Sequence, residues 1–151
     1  MGYTHYYNYK PQAGDSLKFK DVLREIRTLK LKLPEHSETA GGHYREYPLI
    51  IRNGVGKSQA EINEDIIRFN GDANKGLDHE TFVFEFKEEV QNDFCKTARK
   101  PYDMFVCLCL LALANNLSGF EFSSDGDEDD WEPAIEFYKE YIGELSVQPN
   151  F

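Results

Sequence analysis

The sequence predicts an α+β fold in which a small, mostly antiparallel sheet packs with about three helices, one of them central and buried. Residues 2–9 place every second side chain, a tyrosine or a histidine, on one face of a strand. The side chains on that face are Tyr3, His5, Tyr7 and Tyr9. Residues 16–32 carry apolar side chains at helical spacing. Residues 104–114 form an unbroken apolar run, which predicts a helix that is buried all round.

The first helix is the clearest amphipathic element. Asp15 or Ser16 can cap residues 16–32, and Pro34 ends them. Residues 34–47 contain a pair of glycines and several polar side chains, and they are typical of a loop. The apolar stripe of the helix consists of Phe19, Val22, Leu23, Ile26 and Leu29 or Leu33.

The remaining elements alternate between short strands and helical segments. Strands are predicted at 48–52, 66–69, 80–86 and 120–122. Helical segments are predicted after a capping box at 58–61, at 101–116 with Pro101 in its first position, and at 131–143.

The chain has the length and composition of a single domain, residues 1–151. Its 151 residues are 40% hydrophobic, enough for one core. No segment reaches the roughly 18 apolar residues that span a bilayer, and no secretory signal is visible. The three cysteines are odd in number, and Cys107 and Cys109 are two residues apart in a predicted helix. Free, buried thiols in a reducing compartment are therefore expected.

The formal net charge of −10 disfavours binding to long nucleic acids. The charge is unevenly distributed along the chain. Residues 1–57 hold ten Lys and Arg against six Asp and Glu, whereas residues 58–151 hold seven against twenty-one. This asymmetry permits association between copies of the chain, so a homo-oligomer is one expectation.

The residues before the central helix form the strongest candidate for a binding site. Lys96, Arg99 and Lys100 precede Pro101, where free N–H groups and a partial positive charge favour an anion. Cations placed there cost a few tenths to about 1 kcal/mol each unless an anion is present. A phosphate or carboxylate site is therefore predicted. The alternatives are that these charges are solvated or that they pair with acids at 125–130.

The histidines suggest a second kind of chemistry. His79, Glu80 and Thr81 form one His-x-Thr tripeptide, and two-histidine phosphoesterases use a pair of such tripeptides as acid and base. A second tripeptide is absent, but His5 could meet His79 if their strands pair, with Thr81 orienting the phosphate. A lone histidine on a strand is more often structural.

Gly56, Lys57 and Ser58 end a segment that partly matches a phosphate-binding loop. Ile51 stands where the pattern requires its first glycine. A turn followed by a helix cap is the favoured interpretation.

The acidic segment 125–136 partly matches a calcium loop, but Asp130 replaces the glycine of the sharp turn. An acidic cap is favoured instead, with Asp129 or Asp130 at the helix N-terminus and Glu132 in the first turn. A loosely bound Mg²⁺ or Ca²⁺ is the alternative; no resident metal or cofactor is predicted.

Separate blocks covering much of the chain resemble a group of uncharacterised bacteriophage proteins. The blocks read MGYTHY at 1–6, FNG at 69–71, HETF at 79–82, FCKTARKPYD at 94–103 and SSDG at 123–126. The resemblance implies a phage origin and action in the cytoplasm of an infected bacterium. It supplies no catalytic residue.

Three hypotheses of function follow. The leading one is a protein that binds and sequesters a small anionic ligand, a nucleotide or cyclic nucleotide signal of host defence, without contact with membranes. Its ligand-binding residues would be Lys96, Thr97, Arg99, Lys100, Tyr102, Tyr3, His5 and Tyr7. The second is a phosphoesterase that uses His5, His79 and Thr81. The third is an interaction module that inhibits a host enzyme through the acidic surface 121–132.

Overall fold

The computed structural model describes residues 2–37 and 40–147 and has the predicted α+β fold. Residues 38 and 39 of the predicted loop lie outside the described residues. The strands are β1 (Thr4–Tyr9), β2 (Glu61–Ile62), β3 (Ile66–Phe69), β4 (Phe82–Glu85), β5 (Gln91–Lys96) and β6 (Phe120–Ser124). The helices are α1 (Asp15–Lys32), α2 (Asp103–Asn116) and α3 (Glu128–Tyr141).

The strands form two three-stranded antiparallel sheets instead of one. Their orders are β5-β1-β6 and β2-β3-β4. In the first sheet, β1 is the central strand and brings together two segments that are distant in the sequence. His5 lies between Cys95 on one side and Ser124 on the other. This register determines which side chains surround the inward face of β1.

The central helix α2 is buried, as predicted. All twelve residues from Asp103 to Ala114 are buried. Eleven of these lie in the run that the sequence marked as apolar, so burial of this helix gives the largest single contribution to the core. Cys95, Cys107 and Cys109 are free and buried in the same core.

The three helices are joined by a buried polar contact. The Tyr138 hydroxyl on α3 donates a hydrogen bond to Glu25 on α1. The side chain of Asn116 on α2 donates to the second oxygen of the same carboxylate at 3.0 Å. Because Glu25 is buried, these donors replace the water that its carboxylate loses on folding.

Two predictions of secondary structure were wrong, and one strand was missed. Residues 58–61 form no helical turn, because both side chains of the expected capping box have other partners. The Asn53 side-chain amide donates to the Ser58 hydroxyl, and Glu61 pairs with Arg68 in the β2–β3 ladder. Residues 48–52 make only isolated bridges at Pro48 and Arg52. Strand β5 was not predicted, since its sequence QNDFCK lacks an alternating apolar pattern and pairing with β1 determines its conformation.

The start of α3 also differs from the prediction. The helix begins at Glu128, three residues early, because Asp127 is its N-cap. The Asp127 side chain accepts from the Asp130 N–H, and the Asp130 side chain accepts from the Asp127 N–H. The N-cap is therefore Asp127 instead of the predicted Asp129 or Asp130, and Asp130 completes a reciprocal capping box.

A histidine relay beneath an arginine-tyrosine stack

A group of polar side chains lies between the first sheet and the start of α2. Strand β1 supplies His5, the end of β6 supplies Ser124, and the first residue of α2 is Asp103. Thr97 follows β5 directly. His5 and Thr97 are fully buried and Asp103 is 1% exposed, whereas Ser124 is partly exposed. The group therefore extends from the core toward the surface at Ser124.

His5 contacts a different partner through each ring nitrogen. Nδ1 lies 2.7 Å from Oγ of Ser124, and Nε2 lies 2.6 Å from Oδ1 of Asp103. Because a carboxylate only accepts, Nε2 must carry a proton in this arrangement. In the neutral imidazole, Nδ1 then has a free lone pair and accepts a hydrogen bond from the Ser124 hydroxyl.

The Asp103 carboxylate is held by three donors. The Thr97 hydroxyl donates to Oδ1 at 2.6 Å, the same oxygen that His5 contacts. The Cys107 thiol, one helical turn further along α2, lies 3.7 Å from Oδ2. Asp103 is also in the first turn of α2, where the helix dipole favours a negative charge. The buried carboxylate is thus fixed in position and orientation.

His5, Asp103 and Cys107 also form a group that could hold a metal ion. Their ligand atoms all lie within 4.8 Å of one another. Two ligands of one tetrahedral zinc ion are about 3.3 Å apart, so the 2.6 Å between His5 and Asp103 fits a hydrogen bond better. Burial and the charge of Asp103 raise the pKa of the Cys107 side chain, so it is a thiol in this hydrogen-bonded arrangement.

Two aromatic side chains enclose the His5 ring. Tyr3 and Trp131 both meet it edge to face, with centroid distances of 5.0 and 5.3 Å. Burial, followed by the charge of Asp103, raises the pKa of Tyr3 well above its ordinary value, whereas a hydrogen bond with Ser124 lowers it. Tyr3 is therefore a neutral phenol that contacts both His5 and Ser124.

Gly126 allows this arrangement because its backbone approaches Tyr3 closely. A Cβ atom at Gly126 would lie 2.0 Å from the Tyr3 hydroxyl, and only glycine avoids that clash. The Gly126 N–H donates to Oγ of Ser124 at 2.9 Å. The Ser124 oxygen is thus contacted by a backbone donor and by His5.

The tight turn after Thr97 holds Arg99 above this group. Ala98 and Arg99 have φ angles of 54° and 57°, the left-handed conformation that non-glycine residues rarely adopt. The turn closes through a bond from Lys100 N–H to Thr97 O, and Gly41 N–H binds Arg99 O at 2.8 Å. The surrounding structure therefore holds a backbone geometry that is locally unfavourable.

Arg99 stacks on Tyr3 and pairs with Asp130. Its guanidinium carbon lies 3.9 Å from the centroid of the Tyr3 ring, and Nη1 lies 2.8 Å from Asp130 Oδ1. The hydrogen bond from Arg99 holds the pKa of Asp130 below its usual value. The Arg99 side chain is 39% exposed. It packs directly on Tyr3, which in turn contacts His5.

The three predicted anion-binding cations do not converge on one point. Lys96 is exposed and lies 5.8 Å from the Phe94 ring. The Lys100 ammonium donates to the carbonyl oxygens of Gly76 and Asp78. Arg99 pairs with Asp130, as expected from the alternative in which these cations bind the acids at 125–130. The helix also begins at Asp103, two residues after Pro101, so a carboxylate already occupies its first turn.

Three other predicted ligand-binding side chains have structural partners in the core. The Tyr7 hydroxyl donates to Val83 O and the Tyr102 hydroxyl donates to Glu80 O, both at 2.6 Å. The Thr97 hydroxyl donates to the Asp103 carboxylate. Of the predicted residues, the structure thus brings together Tyr3, His5, Thr97 and Arg99.

The strand pairing that could have brought His5 to His79 does not occur among the described residues. Strand β1 pairs with β5 and β6, and His79 lies outside the strands on an exposed loop. The Thr81 hydroxyl donates to Gly54 O at 2.7 Å. A two-histidine site built from these residues therefore lacks the strand pairing on which it depended.

Sequence reasoning missed the partners that define the group. Asp103, Ser124, Cys107 and Trp131 were not proposed as site residues. One signal was present, because three of the sequence blocks described above, 1–6, 94–103 and 123–126, supply most of the side chains around His5. Because these blocks are far apart in the sequence, the sequence alone did not show that they meet around His5.

The comparisons give no independent identification of the chain. No family model, curated protein sequence or solved structure matches it. Within residues 2–37 and 40–147, no helix has both the length and the hydrophobicity that crossing a membrane requires.

Proposed function

We propose that the protein is a hydrolase for a small anionic ester, with Ser124 as the nucleophile and His5 as the general base. One observation carries the proposal: a continuous hydrogen-bonded path runs from Ser124 through His5 to Asp103, with distances of 2.7 and 2.6 Å. A serine, a histidine and a buried carboxylate in this order are the parts that activate a serine hydroxyl on unrelated folds.

The path assigns a role to each member. Ser124 Oγ attacks the phosphorus or carbonyl carbon of the ester while its proton moves to His5 Nδ1. The leaving alcohol oxygen then takes that proton from Nδ1. A water molecule hydrolyses the serine ester by the reverse transfers, which regenerates the Ser124 hydroxyl. Asp103 keeps the Nε2 proton in place and stabilises the imidazolium that forms between the two transfers.

Arg99 is the group that would hold the anionic part of the substrate. A guanidinium has five N–H donors, and Asp130 accepts from two nitrogens at 2.8 and 3.5 Å. The remaining donors and the exposed part of the side chain lie above Tyr3, which itself contacts Ser124. A nucleotide or cyclic nucleotide, the ligand class expected from the sequence, supplies both a phosphate ester and a base that can stack.

Binding without cleavage is the second candidate, and the stacking of Arg99 on Tyr3 favours it. An arginine on an aromatic ring beside a partly exposed hydroxyl can bind a phosphate. The acids around Arg99 weaken this candidate as a simple anion trap, because Asp127, Glu128 and Asp129 surround the same helix start. The hydrolase proposal depends less on net positive charge, since its central feature is the relay through His5.

Incubation with a mixed pool of nucleotides and cyclic nucleotides, followed by mass spectrometry, tests the proposal. Wild type should convert one component, Ser124→Ala should not, and Ser123→Ala should convert it at the wild-type rate. Ser123 is the matched control because it is the adjacent serine on the exposed side of the same strand. Recovery of a bound but unchanged nucleotide would contradict the hydrolase and support the binding protein. Equal conversion by Ser124→Ala would also contradict it.

A further inference from the structure

The outward face of the first sheet carries two exposed aromatic side chains next to each other. Tyr6 on β1 and Phe94 on β5 are directly opposite in the strand register, and they are 45% and 47% exposed. Side chains alternate between the two faces of a strand, so this face is opposite to the one that carries His5. Adjoining apolar side chains with this exposure are typical of a binding surface. The proposed hydrolase site makes no use of them.

A groove with hydrogen-bonding side chains adjoins this aromatic pair. The groove has a volume of about 350–400 Å³, within the usual size of a small-molecule site, and it crosses all three strands of the sheet. Its lining includes Tyr6, Asn8, Asn92 and Glu121. The register places Asn8 between Asn92 and Glu121, so these three side chains form one row across the sheet. At the spacing of strands, the row is about 10 Å wide and lies about 7 Å from Tyr6 along β1.

The three side chains of this row have no partner in the part of the chain that the structure describes. Neither the amides of Asn8 and Asn92 nor the Glu121 carboxylate forms a hydrogen bond or an ion pair there. Each amide offers two donors and one acceptor, whereas a carboxylate only accepts. A ligand that satisfies the row must therefore both donate and accept hydrogen bonds at closely spaced positions.

The charges around the groove favour a ligand that carries no charge itself. Asp93 and Glu121 border the groove, and the Lys96 ammonium lies beyond it, 5.8 Å from the Phe94 ring. Two carboxylates against one ammonium make this face unfavourable for the phosphates of a nucleic acid. An apolar protein surface would leave the amides and the carboxylate unpaired, which is costly. Sugar hydroxyls both donate and accept, and the C–H groups of a pyranose ring pack on aromatic faces.

We propose that the outward face of the first sheet binds a neutral oligosaccharide. Tyr6 and Phe94 pack against a sugar ring, and the row formed by Asn8, Asn92 and Glu121 binds the hydroxyls of the same or the next ring. The site lies on the opposite face of β1 from His5, so it does not rest on the proposed hydrolase activity. Because the ligand is uncharged, its affinity should change little as salt rises.

Calorimetric titration with neutral oligosaccharides of glucose, mannose, xylose and N-acetylglucosamine tests the proposal. Wild type should bind at least one of them. Tyr6→Ala should bind it at least about 10-fold more weakly, whereas Tyr6→Phe, which keeps the ring, should stay within about 3-fold of wild type. Asn8→Ala/Asn92→Ala, which removes two amides, should also lose about 10-fold. Tyr141→Ala, which removes an exposed ring from α3, is the matched control and should bind as wild type does.

A single-stranded oligothymidylate, titrated in parallel, distinguishes a sugar site from a nucleic-acid site. Binding of the oligothymidylate but of no saccharide, with an affinity that falls steeply as salt rises, would overturn the proposal. No binding of any of the four saccharides at millimolar concentration would overturn it too. The same holds if a bound saccharide is retained at full affinity by both Tyr6→Ala and Asn8→Ala/Asn92→Ala. Asn8 and Asn92 lie outside the core, so the double variant keeps the test decisive should Tyr6→Ala fail to fold.

Discussion

Oδ1 of Asp103 lies 2.6 Å from Nε2 of His5, in a part of the core where both side chains are almost completely removed from solvent. An isolated carboxylate at such a position would be strongly unfavourable. The pair persists because each partner satisfies the other and because Thr97 and Cys107 provide further donors. The tautomer of His5 that follows from this contact is the one that can accept the Ser124 proton.

Asp103→Asn should abolish the proposed activity while leaving the molecule folded. An asparagine amide can donate to Nε2, which moves the histidine proton to Nδ1 and removes the lone pair that accepts from Ser124. A tautomer change of this kind lowers kcat by about 10⁴-fold in serine hydrolases. The rate of substrate conversion tests the loss of activity, and the circular dichroism spectrum tests whether the variant remains folded. A folded variant with full activity would exclude His5 as the base.

Thr97→Val should destabilise the fold, because it leaves the buried Asp103 carboxylate without one of its donors. Hydrogen bonds to charged groups contribute about 1.5–3 kcal/mol, and the free energy of unfolding should fall by a similar amount. Thr97→Ser, which keeps the hydroxyl, should restore most of the loss. Urea denaturation measures all three proteins. Equal stability of the valine and serine variants would contradict the role of this hydroxyl.

The ion pair between Arg99 and Asp130 should make stability depend on acid pH. Because the pKa of Asp130 is lowered in the folded state, its contribution is complete above the unfolded pKa of about 4 and is lost as pH falls through the folded value. At pH 7, Asp130→Asn should therefore have a lower free energy of unfolding than wild type. This difference should shrink toward about pH 2–3, because the wild-type carboxylate becomes protonated there. Asp129→Asn, one residue away, is the control. A difference that grows on acidification would have the wrong sign.

Tyr138→Phe should weaken the contact between the helices without affecting the His5 group. It removes the hydroxyl that donates to Glu25 and accepts from Asn115 at 3.0 Å. Leaving a buried carboxylate with one donor fewer costs about 1–3 kcal/mol, measurable by thermal or urea unfolding. Activity per folded molecule should stay at the wild-type level, and a selective loss of activity would indicate that the two regions are coupled.

The elements with a strong pattern could be predicted from the sequence, and those held by tertiary pairing could not. The helical periodicity of α1 and the apolar run of α2 depend on local spacing alone, so both helices were found within two residues of their ends. Strand β5 has no apolar alternation and exists because β1 lies beside it. Residues 58–61 match a capping box, but the Ser58 and Glu61 side chains do not cap a helix. Ser58 instead accepts a hydrogen bond from Asn53, and Glu61 pairs with Arg68.

The site could be predicted only in part, for the same reason. The alternation of β1 predicted that Tyr3 and His5 share one face, and both side chains are buried. It could not identify Ser124, which is 119 positions away and is brought to His5 by the β1–β6 register. Asp103 follows a proline and a tyrosine at the start of a helix, where an acidic residue is commonly stabilised by the helix dipole. Its position in the sequence therefore gave no indication that it contacts His5.

Covalent labelling of Ser124 tests the central claim most directly. A fluorophosphonate probe reacts with a serine hydroxyl that a neighbouring base has activated, and peptide mass spectrometry identifies the residue that carries it. Wild type should be labelled at Ser124 in a time-dependent way, Ser124→Ala should not be labelled, and Asp103→Asn should be labelled far more slowly. Ser123, on the exposed side of the same strand, should remain unmodified. A folded wild-type protein whose Ser124 reacts no faster than Ser123 would contradict the account.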